Sequence, residues 1–310
     1  MNKDAKLSLF SIPAAILVAA GMAWALGSEG VSWRGRPVVW YVVAWVFAVQ
    51  WISFVPARAA RTERFYDLVG SKTFAGAALG SVFLTALVSG PVEARSILVL
   101  VMVLVWAARL GSFLTMRIHR TGRDARFDEI KVSTLRFLNA WTLQGLWVVI
   151  TLAPALVVWT IDRSAPLQAQ AGVGVLLWAA GLTMEAVADA QKYRFSQDPS
   201  NEGAFIRSGL WAWSRHPNYF GEIVVWVGVL IVAMPVLAGW QWIAVISPVF
   251  VWVLLTKISG VPILERRADE KWGGRDDYEA YKRETPELIP KPPFESPADD
   301  LELGHPGSAL

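Results

Sequence analysis

Eight apolar stretches punctuate the chain, each approaching the roughly 20 residues that a membrane-spanning helix needs. They run over about Leu7–Leu26, Val38–Val55, Phe74–Val88, Ile97–Thr115, Trp141–Ile161, Ala171–Ala188, Ile223–Leu237 and Trp240–Thr256. The third and seventh are short, so one span lying flat or re-entrant would leave seven. After Ser259 the pattern changes. Leu264 to Glu284 is charged and reads as helix, with Tyr278 and Tyr281 three apart on one side. From Pro290 the chain turns Pro-rich and then acidic, the composition of a disordered tail. The pattern predicts an all-α polytopic membrane protein, a bundle of 7–8 transmembrane helices. Its expected parts are N-terminal helices over 1–60, a main membrane domain over 61–292 and a disordered tail over 293–310.

Composition agrees. Of 310 residues 54% are hydrophobic, too many for a soluble domain of this size. There is no cysteine, which excludes disulfides, thiolate nucleophiles, Cys-ligated zinc and iron–sulfur clusters. The three histidines, His119, His216 and His305, are too few for a histidine-rich di-iron membrane enzyme. The net charge of +3 is small, and topology explains the basic residues better than nucleic acid does. With the N-terminus in the cytoplasm, the outer loops hold only Arg34, Arg36, Arg95 and Arg163 of 29 basic residues. That asymmetry predicts an integral membrane protein with both termini cytoplasmic, of the inner membrane if the chain is bacterial. The first apolar run lacks a small-residue cleavage site and reads as a retained helix. Most of Trp33, Trp40, Trp51, Trp159, Trp211, Trp213, Trp240 and Trp242 fall near predicted ends, where interfacial anchoring explains them.

Four inner segments carry the chemistry. Tyr66 and Asp67 stand at the start of the third span, where Asp67 either caps the helix or faces a substrate cavity as an acid, assisted by Tyr66. Trp106, Arg109, Phe113, Arg117 and Arg120 share one helical face. Arg109 lies within the hydrocarbon zone and needs an anionic or carbonyl partner. Arg117 and Arg120, with Arg123 and Arg126 below, suit phosphates, although inner-face anchoring explains 123 and 126 as well. Glu185, Asp189 and Lys192 follow at i, i+4, i+7, either neutralised within the bundle or holding ribose and amide groups. Ser214-Arg-His-Pro-Asn-Tyr-Phe-Gly-Glu222 crowds polar groups at the mouth of an apolar run. Pro217 and Asn218 make a helix start, with Glu222 in its first turn. Capping leaves Arg215, His216 and Tyr219 unexplained, so a bound polar ligand is expected there. Gly172-Val-Gly174 opens a spanning helix, and there is no P-loop.

These residues resemble a known group. Asp189-x-x-Lys192, Asn201, Gly209-Leu-Trp211 and the stretch Ser214–Glu222 are similar to bacterial membrane proteins related to steroid 5-alpha-reductases, the group called DUF1295. Asp-x-x-Lys and Arg-His-Pro-Asn-Tyr also resemble the delta-14 and delta-7 sterol reductases. Ser259-Gly-Val-Pro-x-Leu-Glu265-Arg266 and Tyr278-x-x-Tyr281 to Ile289-Pro290 extend the likeness, which covers roughly residues 60–292. The resemblance implies NADPH bound in a cytoplasmic-side pocket and reduction of an activated C=C bond in a steroid- or isoprenoid-like lipid. It implies cofactor contacts from Arg109, Arg117, Arg120, Asp189, Lys192, Asn201, Arg215, His216, Asn218, Tyr219, Glu222, Arg266 and Tyr281. The steroid reductases polarise the substrate ketone with a tyrosine and a glutamate. Trp106 stands at the tyrosine's position, and Asp67 with Tyr66 is nearest to the glutamate, so these three are the catalytic candidates. The expected partners are the lipid-like substrate and membrane lipids, without nucleic acid, metal or an obligate protein partner. Two alternatives remain open. Isoprenylcysteine-type membrane methyltransferases share Arg-His-Pro-x-Tyr and use S-adenosylmethionine, and a non-catalytic lipid-binding protein would keep the pocket without the chemistry.

Overall fold

The computed structural model describes residues 3–122, 124 and 127–292. The chain is almost wholly helical: α1 Lys3–Leu26, α2 Val38–Ala59, α3 Tyr66–Ser89, α4 Ala94–Thr121, α5 Thr134–Thr151, α6 Ala153–Thr160, α7 Ala169–Gln197, α8 Pro217–Ala233, α9 Ile246–Val253, α10 Val261–Trp272 and α11 Asp276–Glu284. A hairpin of two-residue strands, β1 Ser32–Trp33 and β2 Arg36–Pro37, turns at Arg34 and Gly35. Among the described residues seven helical spans are long and apolar enough to cross a membrane, and the bent pair α5–α6 makes an eighth. This is an all-α polytopic membrane protein.

The boundaries differ from the sequence pattern in three informative places. α3 starts at Tyr66 rather than near Phe74, so Asp67 lies in its first turn and Phe65 occupies the cap position. Asp67 is therefore not the capping residue. The fifth apolar run bends by 61° between α5 and α6. Pro154, at the head of α6, has no N–H to continue the ladder and its ring crowds the carbonyl four residues back. The charged stretch expected as one helix over Leu264–Glu284 is two, because Gly274 takes a φ of +80° between α10 and α11.

The described residues form two compact units, one within 3–182 and 223–254, the other within 183–222 and 255–292. The boundary expected near residue 60 falls inside the first. In the first unit α3 packs along α4, and α5 packs against both α1 and α2. Its centre holds an aromatic cluster in which Phe74 meets Trp106, Trp147 and Trp226. Trp159, expected at an interface, is buried and donates to the Ser96 carbonyl at 3.2 Å. Arg95, expected in an exposed loop, is also buried, bonded to the carbonyls of Val232, Ala165 and Pro166. The loops before α3 and α5 are tied by buried Glu63, which accepts from Lys131 at 2.8 Å and from the Asp124 amide at 3.0 Å. The second unit consists of the end of α7, short 3-10 turns at Pro199–Asn201 and Gly209–Ala212, the first turns of α8, α10, α11 and the segment after it.

Candidate functional site

The second unit gathers most of the motif. α8 begins at Pro217, whose fixed φ suits the first helical position. Just before it, the Ser214 hydroxyl accepts from the His216 amide at 3.1 Å and donates to the Leu288 carbonyl at 2.8 Å. The segment beyond α11 is laid alongside: the Arg215 amide donates to the Pro286 carbonyl and the Lys291 amide to the Trp213 carbonyl, both at 2.9 Å. This strap fixes the backbone from which Arg215 and His216 project.

Both of those side chains meet Glu265 of α10. The Arg215 guanidinium pairs with one carboxylate oxygen, and His216 Nε2 lies 2.8 Å from the other. His216 is only 4% exposed and stacks on Tyr219, the rings 5.5 Å apart and 9° from parallel. On the other side Asn218 Nδ2 donates to Oδ1 of buried Asp189, from α7, at 3.0 Å. Three buried polar atoms of this cluster have no protein partner: Arg215 Nε, His216 Nδ1 and Asn218 Oδ1. A buried polar atom without a hydrogen bond costs about 1–3 kcal/mol, and three of them fall within four consecutive residues here.

A second group lies one turn along α7. Lys192 Nζ stands 4.5 Å from the Trp211 ring centroid, the Trp211 indole donates to the Ala188 carbonyl at 3.0 Å, and the Tyr281 hydroxyl donates to the Trp211 carbonyl at 2.7 Å. Trp211, expected at an interface, is thus buried within the unit. Gly209 allows the turn before it, having a φ of +61° and the Gln191 carboxamide against its Cα. Gln191 in turn accepts from the Leu210 amide at 3.0 Å. Asn201 secures the end of α7, donating to the Phe195 carbonyl at 3.1 Å. Glu222 sits in the second turn of α8 rather than the first. Arg266 is not brought to the cluster, being exposed on α10 and 3.9 Å from Glu270. Its neighbour Glu265 is the residue that sequence reasoning passed over. Glu265 shares a partly buried stripe with Val261, Ala268 and Trp272, at helical spacing, and that periodicity could have revealed it.

Phe205 holds α10 and α11 together, its ring 5.8 Å from Trp272 of α10 and 5.2 Å and 5.4 Å from Tyr278 and Tyr281 of α11. Burial pushes both phenols above their ordinary value, and the Asp269 carboxylate adds to the effect at Tyr278. A phenol raised in the folded state leaves stability intact below its unfolded pKa, near 10. That stability is lost as pH rises toward the folded value. The second unit should therefore loosen above about pH 10. In an alkaline titration followed by tyrosinate absorbance and circular dichroism, two of the six tyrosines should ionise only as helicity falls. Six simple titrations with helicity intact would contradict this.

The first unit disposes of the other expected residues less favourably. The Tyr66 hydroxyl donates to the Ala140 carbonyl at 2.9 Å, and its ring packs on Phe127 and Trp141. Its role is to join α3 to α5, so it is no longer available as the assisting donor. Asp67 lies 3.4 Å from the Arg117 guanidinium. Trp106 is fully buried, in edge contact with Phe74 and Trp226, and its indole N–H has no hydrogen-bond partner. The Arg109 guanidinium stands 5.6 Å from the Phe113 ring centroid. The Arg120 side chain, Arg123, Arg126 and the tail over 293–310 lie outside the described residues. A groove of about 500 Å³ beside α3 and α4 is lined by Leu68, Ser71, Ser112, Thr115, Met116 and His119 among others. None of Tyr66, Asp67 or Trp106 lines it.

The fold and this cluster define a polytopic helical membrane protein with buried polar side chains gathered at the start of one of its spans. The chain belongs to the DUF1295 family: its residues 53–285 match the family model described as "Protein of unknown function (DUF1295)". No curated protein and no solved structure matches the chain.

Proposed function

We propose that this protein is an NADPH-dependent membrane reductase acting on an activated C=C bond of a steroid- or isoprenoid-like lipid, with both termini cytoplasmic. The observation that carries the reading is the set of unpartnered buried atoms on Arg215, His216 and Asn218, held in place by Glu265 and Asp189. Three unpartnered polar atoms within four residues fit the polar face of a nicotinamide riboside. When bound, the dinucleotide supplies the hydride. The protein's part is to orient the reactive ring and exclude water. His216 and Tyr219, stacked on each other, offer a flat surface, and Lys192 beside Trp211 supplies a cation for the phosphates.

Thermal denaturation of the detergent-solubilised full chain separates this reading from the methyltransferase alternative. NADPH at a hundred times its dissociation constant should stabilise the protein by about 2.7 kcal/mol, and S-adenosylmethionine should leave it unchanged. Stabilisation by S-adenosylmethionine alone would reverse the assignment, and stabilisation by neither would remove it.

A further inference from the structure

We infer that the groove between α3 and α4 seats one phospholipid of the bilayer, its ester groups among the groove's hydroxyls and its phosphate toward the basic end of α4. This site is independent of the reductase reading, and all of its residues belong to the first unit. The outward stripe of α4 runs Val101, Val105, Ala108, Ser112, Met116 and His119, each of them exposed. Val101 and Val105 present hydrocarbon, as a spanning helix should. The stripe then turns small and polar, which a face turned toward acyl chains does not require. At that level the groove opens, about 500 Å³ in volume, with Ser71 of α3 and Ser112 and Thr115 of α4 in its wall.

Gly111 brings the two walls together. A Cβ there would stand 2.3 Å from the Ser71 hydroxyl, which is itself committed to the Ala107 carbonyl. Hydroxyls in apolar helices commonly donate to the carbonyl four residues back. Those of Thr73, Ser81, Thr142 and Thr160 do so at 2.7 or 2.9 Å. Thr115 Oγ1 does not: it is buried and has no partner. Thr85 and Thr151 share that state, but neither lines the groove. An ester carbonyl can only accept, so it would satisfy the Thr115 hydroxyl. His119 Nδ1 donates to the Thr115 carbonyl at 2.8 Å, which holds the imidazole at the same end of the groove.

Charge selects the class of lipid. Residues 117–126, where α4 ends, carry four arginines against one aspartate. Arg64 donates to the Gly122 carbonyl at 2.9 Å and so brings a further guanidinium to that end. Lys72, next after Ser71, is exposed. Asp67, 3.4 Å from Arg117, offsets one of these cations. Basic clusters at the inner end of a span recognise anionic headgroups. A neutral lipid would leave that charge unused, and a free phosphate would leave the apolar stripe and the Thr115 hydroxyl unused.

Native mass spectrometry of the detergent-solubilised full-length protein, titrated with dioleoylphosphatidylglycerol, counts the lipids retained. The wild type should hold one. Ser112→Leu fills the groove from an exposed helix position and should weaken binding about tenfold. Thr115→Val keeps the side chain's shape without the hydroxyl and should weaken it about fivefold. Leu176→Ala, at an exposed position of α7 outside the groove, should bind as the wild type does. Dioleoylglycerol, which has the esters but no phosphate, should bind about tenfold more weakly than the phospholipid. Retention of no lipid, wild-type affinity in both groove variants, or an equal loss in Leu176→Ala would overturn the site. Equal binding of dioleoylglycerol would give the groove to a neutral lipid and overturn the phospholipid. Should Ser112→Leu lose helicity by circular dichroism, Thr115→Val decides alone.

Discussion

Glu265→Leu should destabilise the second unit by about 3 kcal/mol and abolish NADPH binding. Glu265 contacts both Arg215 and His216. Removing it leaves a guanidinium whose side chain is 13% exposed without its nearest counter-charge, Glu287 being 4.0 Å away and itself 46% exposed. Breaking a buried pair from one side costs more than the pair contributes, because the stranded charge remains desolvated. Glu265→Gln keeps the shape and a hydrogen bond to His216 but loses the charge. It should fold, at a cost of about 1–2 kcal/mol, and bind NADPH at least tenfold more weakly. Chemical denaturation monitored at tryptophan, paired with ligand titration, reads both effects. Wild-type stability and affinity in Glu265→Leu would mean that the cluster is incidental.

Trp106→Ala should cost the first unit about 3–5 kcal/mol, the usual range for truncating a buried tryptophan. The ring is fully buried, with centroids 5.0 Å from Phe74 and 4.9 Å from Trp226, both in edge contact. Edge-to-face pairs add about 0.5–1.5 kcal/mol each beyond their burial. Phe74 also meets Trp147 at 4.9 Å, so the loss would loosen the packing of α3, α4, α5 and α8 within the first unit. Trp106→Phe separates the contribution of an aromatic ring from that of the whole side chain. It should retain most of the stability, because a ring still fills the centre of the cluster. A loss in Trp106→Phe as large as in Trp106→Ala would contradict this account of the cluster.

The membrane class was legible because bilayer thickness imposes a length on apolar runs, and all eight runs correspond to helix. What the runs could not disclose was where helices begin in polar sequence. α3 starts at Tyr66 because tertiary bonds, Tyr66 to Ala140 and Arg117 to Asp67, hold its first turn. Nothing within residues 66–73 announces those partners. The bend at Pro154 was readable in principle, since a proline seven residues before the end of an apolar run must break its ladder. The motif at the start of α8 stood out because Arg215, His216, Asn218 and Tyr219 have no business beside an apolar span unless they bind something. The resemblance points to Arg266 and not to Glu265, and helical phase reverses the two. Position 265 lies on the inward stripe of α10, and position 266 is 71% exposed. Trp159 and Trp211 show the limit of reasoning from proximity to a predicted helix end, since both are buried in their own units.

Titration of NADPH into the full-length protein, followed by energy transfer from tryptophan to the reduced nicotinamide, tests the central claim most directly. The account predicts saturable binding by the wild type and a loss of at least tenfold in affinity in Asn218→Leu, with the fold intact by circular dichroism. Absence of saturable binding to folded wild-type protein, or equal affinity in the two, would contradict it.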